Sequence, residues 1–177
     1  MKKIINIAVV GLGQVGIFLL NELNIKKKDI ELKTGKKINI VAVSAKNFNK
    51  KRQFKFDKKI FFKNPLEIFD KKKIDVLFEV IGLSDGISKK VVETALKKRI
   101  HVITPNKALI SKHGNELAKI AELNNVNLEF EASVAGGIPV LRSIKEGLAT
   151  NKITKVYGIL NGTSNYILSE MENTNQS

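Results

Sequence analysis

The turn that follows the first strand constrains this chain more than any other feature. Ile4 to Val10 is a short β-branched run, and Gly11-Leu-Gly13-Gln-Val-Gly16 follows it directly. A GxGxxG pattern is informative where it closes a buried strand and opens a helix, as it does here. Gly11 permits a tight turn, Gly13 lets the backbone approach a pyrophosphate, and Gly16 lets helix pack on strand. The pattern predicts a dinucleotide site; the alternative is a glycine-rich turn without a ligand.

Strands and helices alternate along the chain after this turn. Strands are predicted at Ile38–Val43, Ile74–Ile81, Ile100–Ile103 and Leu128–Ala132, and helices at Val15–Leu23, Pro65–Phe69, Ser88–Lys98 and Asn115–Asn124. In the third helix Val91, Val92, Ala95 and Leu96 should face inward. Polar Lys26–Lys37 and basic Asn47–Lys59 have no periodicity and are predicted to be connections. The alternation predicts an α/β fold with a Rossmann-type, doubly wound parallel sheet.

The alternation of predicted strands and helices is interrupted near residue 135. Gly136, Gly137 and Pro139 interrupt the chain, and a helix (Val140–Ala149), a strand (Ile153–Leu160) and a further helix (from Ser164 to Met171) are predicted beyond them. We therefore expect residues 1–135 to form a nucleotide-binding domain. Residues 136–177 should begin an α+β domain.

Composition excludes several classes of protein. The 177 residues contain no Cys, which excludes a disulfide framework and thiolate metal sites and is consistent with the cytoplasm. No apolar run approaches the roughly 18 residues of a membrane helix. The net charge of +14 allows nucleic-acid binding, but the lysines are scattered and aromatic residues for base stacking are few. We expect neither a nucleic-acid nor a membrane partner, and we interpret the charge as tolerated surface lysine. His101 and His113 lack metal-ligand spacing and are predicted to be structural or surface residues.

The end of the second strand bears on cofactor choice. NAD-selective sites usually place Asp or Glu there, on the ribose hydroxyls, whereas this strand runs into Ser44-Ala45-Lys46. Lys46 could meet the 2′-phosphate of NADP, and Lys50, Lys51 and Arg52 follow it. The alternative is that these are ordinary solvated cations.

Three longer motifs resemble those of one enzyme family. Thr104-Pro-Asn-Lys-Ala-Leu resembles the "NK-A-L" segment of homoserine dehydrogenases. Phe130-Glu-Ala-Ser-Val-Ala-Gly-Gly-Ile-Pro139 resembles their "E-A-x-V-x-G-G-I-P" segment, and Gly158-Ile-Leu-Asn-Gly-Thr-Ser-Asn-Tyr-Ile-Leu168 their "G-I-L-N-G-T-x-N-Y-I-L" segment. The motifs occur in the family's order, and the resemblance extends over nearly the whole chain.

The resemblance implies an NAD(P)-dependent oxidoreductase that interconverts L-aspartate 4-semialdehyde and L-homoserine in threonine and methionine biosynthesis, as a homo-oligomer acting on a small-molecule substrate. Lys107 aligns with a lysine close to nicotinamide and substrate, and Thr163 with a substrate-facing turn, although it could simply cap the next helix. The implied cofactor-binding set comprises Gly11, Gly13, Gln14, Val15, Gly16, Lys46, Gly82, Ser84 and Lys107.

The resemblance also implies a cation site and a longer protein. Glu131, with backbone carbonyls at Val134, Gly136 and Ile138, would bind a monovalent cation, Na⁺ or K⁺. The alternative is a Glu that accepts hydrogen bonds from nearby N–H groups. The family's acidic substrate ligands and its main acid/base lysine would fall after Ser177, so we expect this chain to bind cofactor without turnover. A stand-alone nucleotide-binding or regulatory module is the other hypothesis.

Overall fold

Six parallel strands form the sheet of the N-terminal part of the chain. The computed structural model describes residues 3–50, 54, 56–159 and 161–174. In chain order the strands are β1 (Ile4–Val10), β2 (Lys37–Ser44), β3 (Phe61–Phe62), β4 (Val76–Glu79), β5 (His101–Ile103) and β6 (Leu128–Glu129). They lie in the order β3-β2-β1-β4-β5-β6, and each neighbouring pair is parallel. This order confirms the predicted doubly wound sheet, whose direction of winding reverses between β1 and β4.

Two apolar cores cover the two faces of this sheet. Along β1, Ala8 and Val10 belong to one core, while Ile7 and Val9 belong to the other, as expected for side chains that alternate between faces. The helices of this part are α1 (Gln14–Ile25), α2 (Lys27–Thr34), α3 (Ile68–Lys71), α4 (Ile87–Lys97) and α5 (Lys107–Leu123). The four inward residues predicted for α4 are all fully buried, which confirms its apolar face.

The prediction that Lys26–Lys37 is a connection is wrong, because α2 occupies most of it. This helix buries no residue, so the sequence carries no apolar stripe from which it could be recognised. Its Lys, Glu and Leu residues are nonetheless good helix formers. Gly35 ends the helix with φ of +67°, and its N–H donates to the Glu31 carbonyl.

The prediction for α5 begins too late. The helix starts at Lys107 rather than Asn115, and the Asn106 side chain caps it by accepting from the Leu109 N–H at 3.1 Å. Gly114 lies within the helix. The following strand ends at Glu129 instead of Ala132, because Glu131–Ser133 turns into a single 3-10 turn.

The chain divides into two compact units, Met1–Gly136 and Gly137–Ser177. In the second unit α6 (Val140–Arg142) continues into a π-helical turn at Ser143–Gly147, and α7 spans Gly162–Thr174. The strand predicted at Ile153–Leu160 is wrong for residues 153–159, and Leu160 lies outside the described residues. A strand needs a partner for its backbone groups, and the described part of this unit contains no other strand. No helix of the described residues combines the length and the apolarity needed to cross a membrane.

Candidate nucleotide site

A cleft of about 710 Å³ opens where β1, β2 and β4 end. Its lining comes from the glycine turn after β1, from Ser44 to Asn47 after β2, from Lys63 to Pro65 after β3, and from Val80 and Ile81 after β4. This position is the point at which the strand order reverses. In open α/β sheets that crevice is where ligands bind.

Two glycines of the turn are required by the packing of the turn itself. Gly11 has φ of +108°, its N–H donates to the Ser44 carbonyl at 2.9 Å, and a Cβ there would lie 2.5 Å from the Val80 oxygen. Gly16 is buried, and a Cβ there would overlap the Gly11 carbonyl oxygen. The chain therefore needs both glycines whether or not a ligand is bound.

Gly13 differs from both of these glycines. Its φ of −77° suits any residue, and a Cβ there would meet nothing within 4 Å. It is the N-cap of α1, a helix with neither a side-chain cap nor an acidic residue in its first turn, where Gln14 and Val15 are exposed. The first N–H groups of a helix lack intrahelical acceptors and carry its positive dipole end. The cleft floor thus presents an uncapped helix N-terminus, which is suited to a phosphate group.

Lysines stand at the β2–β3 side of the cleft. Lys46, Lys50 and Lys63 line it, and all three are exposed. No carboxylate ends β2, as the sequence indicated. Lys51 and Arg52 lie outside the described residues. Lys63 was not predicted, because β3 consists of two residues and is too short to be recognised from periodicity.

Aromatic rings hold the segment that follows Lys46. The ring centroids of Phe48 and Phe61 lie 4.8 Å apart in an edge-to-face arrangement, and Phe56 stacks on Phe61 at 5.8 Å. Phe61 belongs to β3, so this contact attaches the segment to the sheet. The attachment keeps the lysine-bearing side of the cleft close to the strand ends.

Among the other predicted cofactor residues, Gln14, Val15 and Gly16 lie in the first turn of α1 beside the cleft, and Gly82, Ser84 and Lys107 lie beyond β4; none of the six is part of the cleft lining. Gly82 follows β4 with φ of +90°, and the Ser84 hydroxyl donates to Asp85 at 2.7 Å. Lys107 is the first residue of α5 and is exposed. The structure therefore groups Gly11, Gly13 and Lys46 in one cleft and places Gly82, Ser84 and Lys107 on its β4–β5 side.

Asp85 connects the loop after β4 with the surface of α5. One carboxylate oxygen pairs with Lys112 at 2.7 Å, and the other lies 2.8 Å from His113 Nε2. Hydrogen bonds from Lys112, His113 and Ser84 hold the pKa of Asp85 well below its ordinary value. His113 is thus a half-buried member of the hydrogen-bonded cluster around Asp85, and His101 accepts a hydrogen bond from the Asn127 N–H at 3.0 Å.

The predicted cation ligands fall into both units. Glu131 begins a 3-10 turn and Val134 follows it, with the Val134 N–H donating to the Glu131 carbonyl at 3.0 Å, and Gly136 has φ of +62°. In the second unit, the Ile138 carbonyl accepts from the Val140 N–H at 2.8 Å. No group of three or more His, Cys, Asp or Glu side chains suited to a metal occurs among the described residues. The predicted cation site consists largely of backbone carbonyls, so it does not require a cluster of such side chains.

Thr163 does not cap the following helix, which corrects one of the two roles considered for it. It lies inside α7, and the Asn161 side chain accepts from the Ser164 N–H at 2.9 Å. Asn161 therefore satisfies the helix N-terminus, and the Thr163 hydroxyl is not needed for capping.

Comparisons with known proteins agree with this geometry. The family "Homoserine dehydrogenase, NAD binding domain" matches residues 11–131, and the family "Homoserine dehydrogenase" matches residues 139–177. Homoserine dehydrogenases of Neisseria gonorrhoeae and Bacillus subtilis are 41% and 37% identical over 96% of this chain, which spans 38% and 39% of their lengths. A Thiobacillus denitrificans homoserine dehydrogenase structure superposes with a TM-score of 0.81 at 36% identity, over 97% of this chain and 39% of that one. The chain belongs to the homoserine dehydrogenase family.

Proposed function

We propose that this chain supplies the NAD(P)-binding part of an enzyme that interconverts L-aspartate 4-semialdehyde and L-homoserine. The observation that carries the proposal is Gly13, a glycine that the protein's own packing does not require, at an uncapped helix N-terminus on the floor of the cleft. A side chain at this position would occupy the space through which a pyrophosphate reaches the helix. Family membership agrees with this interpretation.

From the sheet order we propose that the two halves of the cofactor lie on opposite sides of the glycine turn. The adenosine half belongs with the end of β2, where acidic residues contact the ribose in NAD-selective proteins. The nicotinamide half then lies towards β4 and β5, near Gly82, Ser84 and Lys107. When bound, the reduced cofactor supplies a hydride to a carbonyl carbon. Lys107 provides a cation that can steady a substrate carboxylate or a developing alkoxide.

Lys46 supports the binding of NADP at least as well as NAD. It lines the cleft just past β2, no carboxylate ends that strand, and among the described residues Lys46 has no ion-pair partner. A lysine cation forms charge-assisted hydrogen bonds with phosphate. Lys63 lines the same side and can add to the positive potential there.

A monovalent cation, Na⁺ or K⁺, at Glu131 and the carbonyls of Val134, Gly136 and Ile138 is a second part of the proposal. Oxygen ligands favour a hard cation, and the left-handed φ of Gly136 allows the sharp bend that turning carbonyls inward requires. In the same way, Thr163 is proposed to face the substrate, since its hydroxyl is not used as a helix cap.

The whole protein's setting is also proposed from family membership. We expect a homo-oligomer in the cytoplasm that acts in threonine and methionine biosynthesis on a small-molecule substrate. Nucleic acid and membrane are not expected partners. The lysines of α2 lie on a helix that buries no residue, which agrees with a solvated surface.

Isothermal titration of residues 1–177 with NADPH and with NADH tests the central proposal. A single-stranded oligonucleotide at the same ionic strength serves as the control for binding that depends only on the +14 charge. We expect saturable binding of one cofactor per chain, together with weak, salt-sensitive oligonucleotide binding. Tight oligonucleotide binding without cofactor binding would reject the proposal.

A further inference from the structure

A fully buried carboxylate lies at the carboxyl end of β4. Glu79 has no exposed surface, and no Lys, Arg or His of the described residues pairs with it. Its Oε1 accepts from the backbone N–H of Ile81 at 2.9 Å and of Gly82 at 3.4 Å. A buried carboxyl group without a cationic partner must satisfy its oxygens with hydrogen bonds, and backbone N–H groups provide part of them here.

Two polar side chains from the end of β5 complete this network. The Thr104 hydroxyl donates to Glu79 Oε2 at 2.6 Å and accepts from the Asn106 N–H at 3.0 Å. The Asn106 amide lies 3.3 Å from Glu79 Oε2 and donates to the Leu83 carbonyl at 2.8 Å. In each of these hydrogen bonds the partner is the donor and a Glu79 oxygen is the acceptor.

The hydrogen bonds of Glu79 connect the cleft wall after β4 with the start of α5. Ile81 lines the cleft, and Gly82 follows it with a left-handed φ. Asn106 is also the N-cap of α5, so its placement fixes the helix start where Lys107 lies. One carboxylate therefore sets the cleft wall and the start of α5 at the same time.

We infer that Glu79 is a positioning residue for the nicotinamide half of the cofactor. Through Ile81 and Gly82 it shapes the wall after β4, and through Thr104 and Asn106 it places Lys107 relative to that wall. No residue of the network lies at the end of β2, where the adenosine half is proposed to bind. This inference rests on the proposed nucleotide-binding function and adds three residues to it.

The test compares NADPH with ADP, which contains only the adenosine and phosphate half. Thr104→Val keeps the shape of the side chain and removes the hydroxyl. Asn106→Ser retains a capping residue for α5 but loses the amide that reaches Glu79 and Leu83. Thr104→Ser should restore binding, because it keeps the hydroxyl. Glu93→Gln, on α4 and paired with Lys97, is the matched control for loss of a carboxylate in Glu79→Gln.

We expect Thr104→Val, Asn106→Ser and Glu79→Gln to weaken NADPH binding by about tenfold or more, because a displaced Lys107 would lose its contact with the nicotinamide half, and one lost hydrogen bond of a charged group corresponds to about that factor. ADP binding should stay within about twofold of wild type, and Thr104→Ser and Glu93→Gln should bind both ligands normally. Thermal unfolding identifies any variant that does not fold; if Glu79→Gln is one, the Thr104 and Asn106 variants, which keep the carboxylate, decide the matter.

Equal weakening of NADPH and ADP in the folded variants would show a purely structural role and overturn the inference, as would unchanged NADPH binding. Absence of NADPH binding by the wild-type chain is a different result. It would reject the proposed function itself, and the inference with it.

Discussion

Replacing Gly13 and Gly16 separately with Val should give opposite results, although the two residues are three positions apart in one motif. A Cβ at Gly13 meets nothing within 4 Å, and its backbone φ is accessible to all residues. The only intrinsic cost of Gly13→Val is a poorer N-cap, about 1 kcal/mol or less. We therefore expect Gly13→Val to fold with nearly the wild-type free energy of unfolding.

The same substitution should nearly abolish nucleotide binding. The valine methyl groups would keep a pyrophosphate from the first N–H groups of α1. Each hydrogen bond to a charged group contributes roughly 1.5–3 kcal/mol, so the loss of two corresponds to at least about 3 kcal/mol, or more than 100-fold in Kd.

Gly16→Val should damage the fold instead. Its Cβ would overlap the Gly11 carbonyl oxygen, a backbone atom that cannot move without disturbing the turn. Overpacking of this kind costs about 1–3 kcal/mol, and a clash with backbone belongs at the upper end or beyond. Urea unfolding followed by circular dichroism measures the stability of both variants, and titration calorimetry with NADPH measures affinity. Wild-type affinity in Gly13→Val, or a Gly16→Val protein as stable as wild type, would refute this account of the turn.

Four further predictions concern other parts of the site. Lys46→Ala should weaken NADPH binding by about tenfold and leave NADH binding nearly unchanged, because only NADPH carries the 2′-phosphate; a clear NADH preference in the wild type that survives the substitution would count against the proposal. Na⁺ or K⁺ should raise the melting temperature of the wild type more than that of Glu131→Gln, and equal shifts would remove Glu131 from the cation site. Because the pKa of Asp85 is lowered in the folded protein, its contacts with Lys112 and His113 stabilise the fold above its ordinary pKa of 3.8, and this contribution is lost as the pH falls below that value. Asp85→Asn should therefore lower the free energy of unfolding at pH 7 and make it depend less on pH between about pH 4 and pH 2. Unfolding measured at several pH values tests both effects. Finally, residues 1–177 are expected to bind NADPH without homoserine-dependent NADP reduction, and full-rate turnover in a coupled absorbance assay would contradict that expectation.

The sequence predicted those elements whose side chains are sorted between core and solvent. β1 and α4 have this property, since their apolar residues recur with the strand or helix period and are buried in the structure. The helix α2 has no buried face, and β3 has only two residues, so neither leaves a periodic trace. Periodicity in a sequence reveals elements that have a buried face. Helices held mainly by local hydrogen bonds and very short strands at the edge of a sheet are therefore not recognised from it.

The polar network around Glu79 could not be recognised for a related reason. In Val76-Leu-Phe-Glu-Val-Ile81 a single charged residue interrupts an apolar run, and the run alone does not show that this residue is buried. Its partners come from residues 25 and 27 positions further along the chain. Only the parallel pairing of β4 with β5 brings the two strand ends together.

The three glycines of the turn meet two different requirements, one of packing and one of ligand binding. Gly11 and Gly16 satisfy the chain's own packing, because a Cβ at either would strike backbone atoms of the turn or of the strand beside it. Gly13 satisfies no such need, since the space around it is open. A protein that kept Gly11 and Gly16 but carried a side chain at Gly13 would retain this fold and lose the approach to the helix N-terminus. The middle glycine is therefore the position at which the motif reports a ligand rather than a fold.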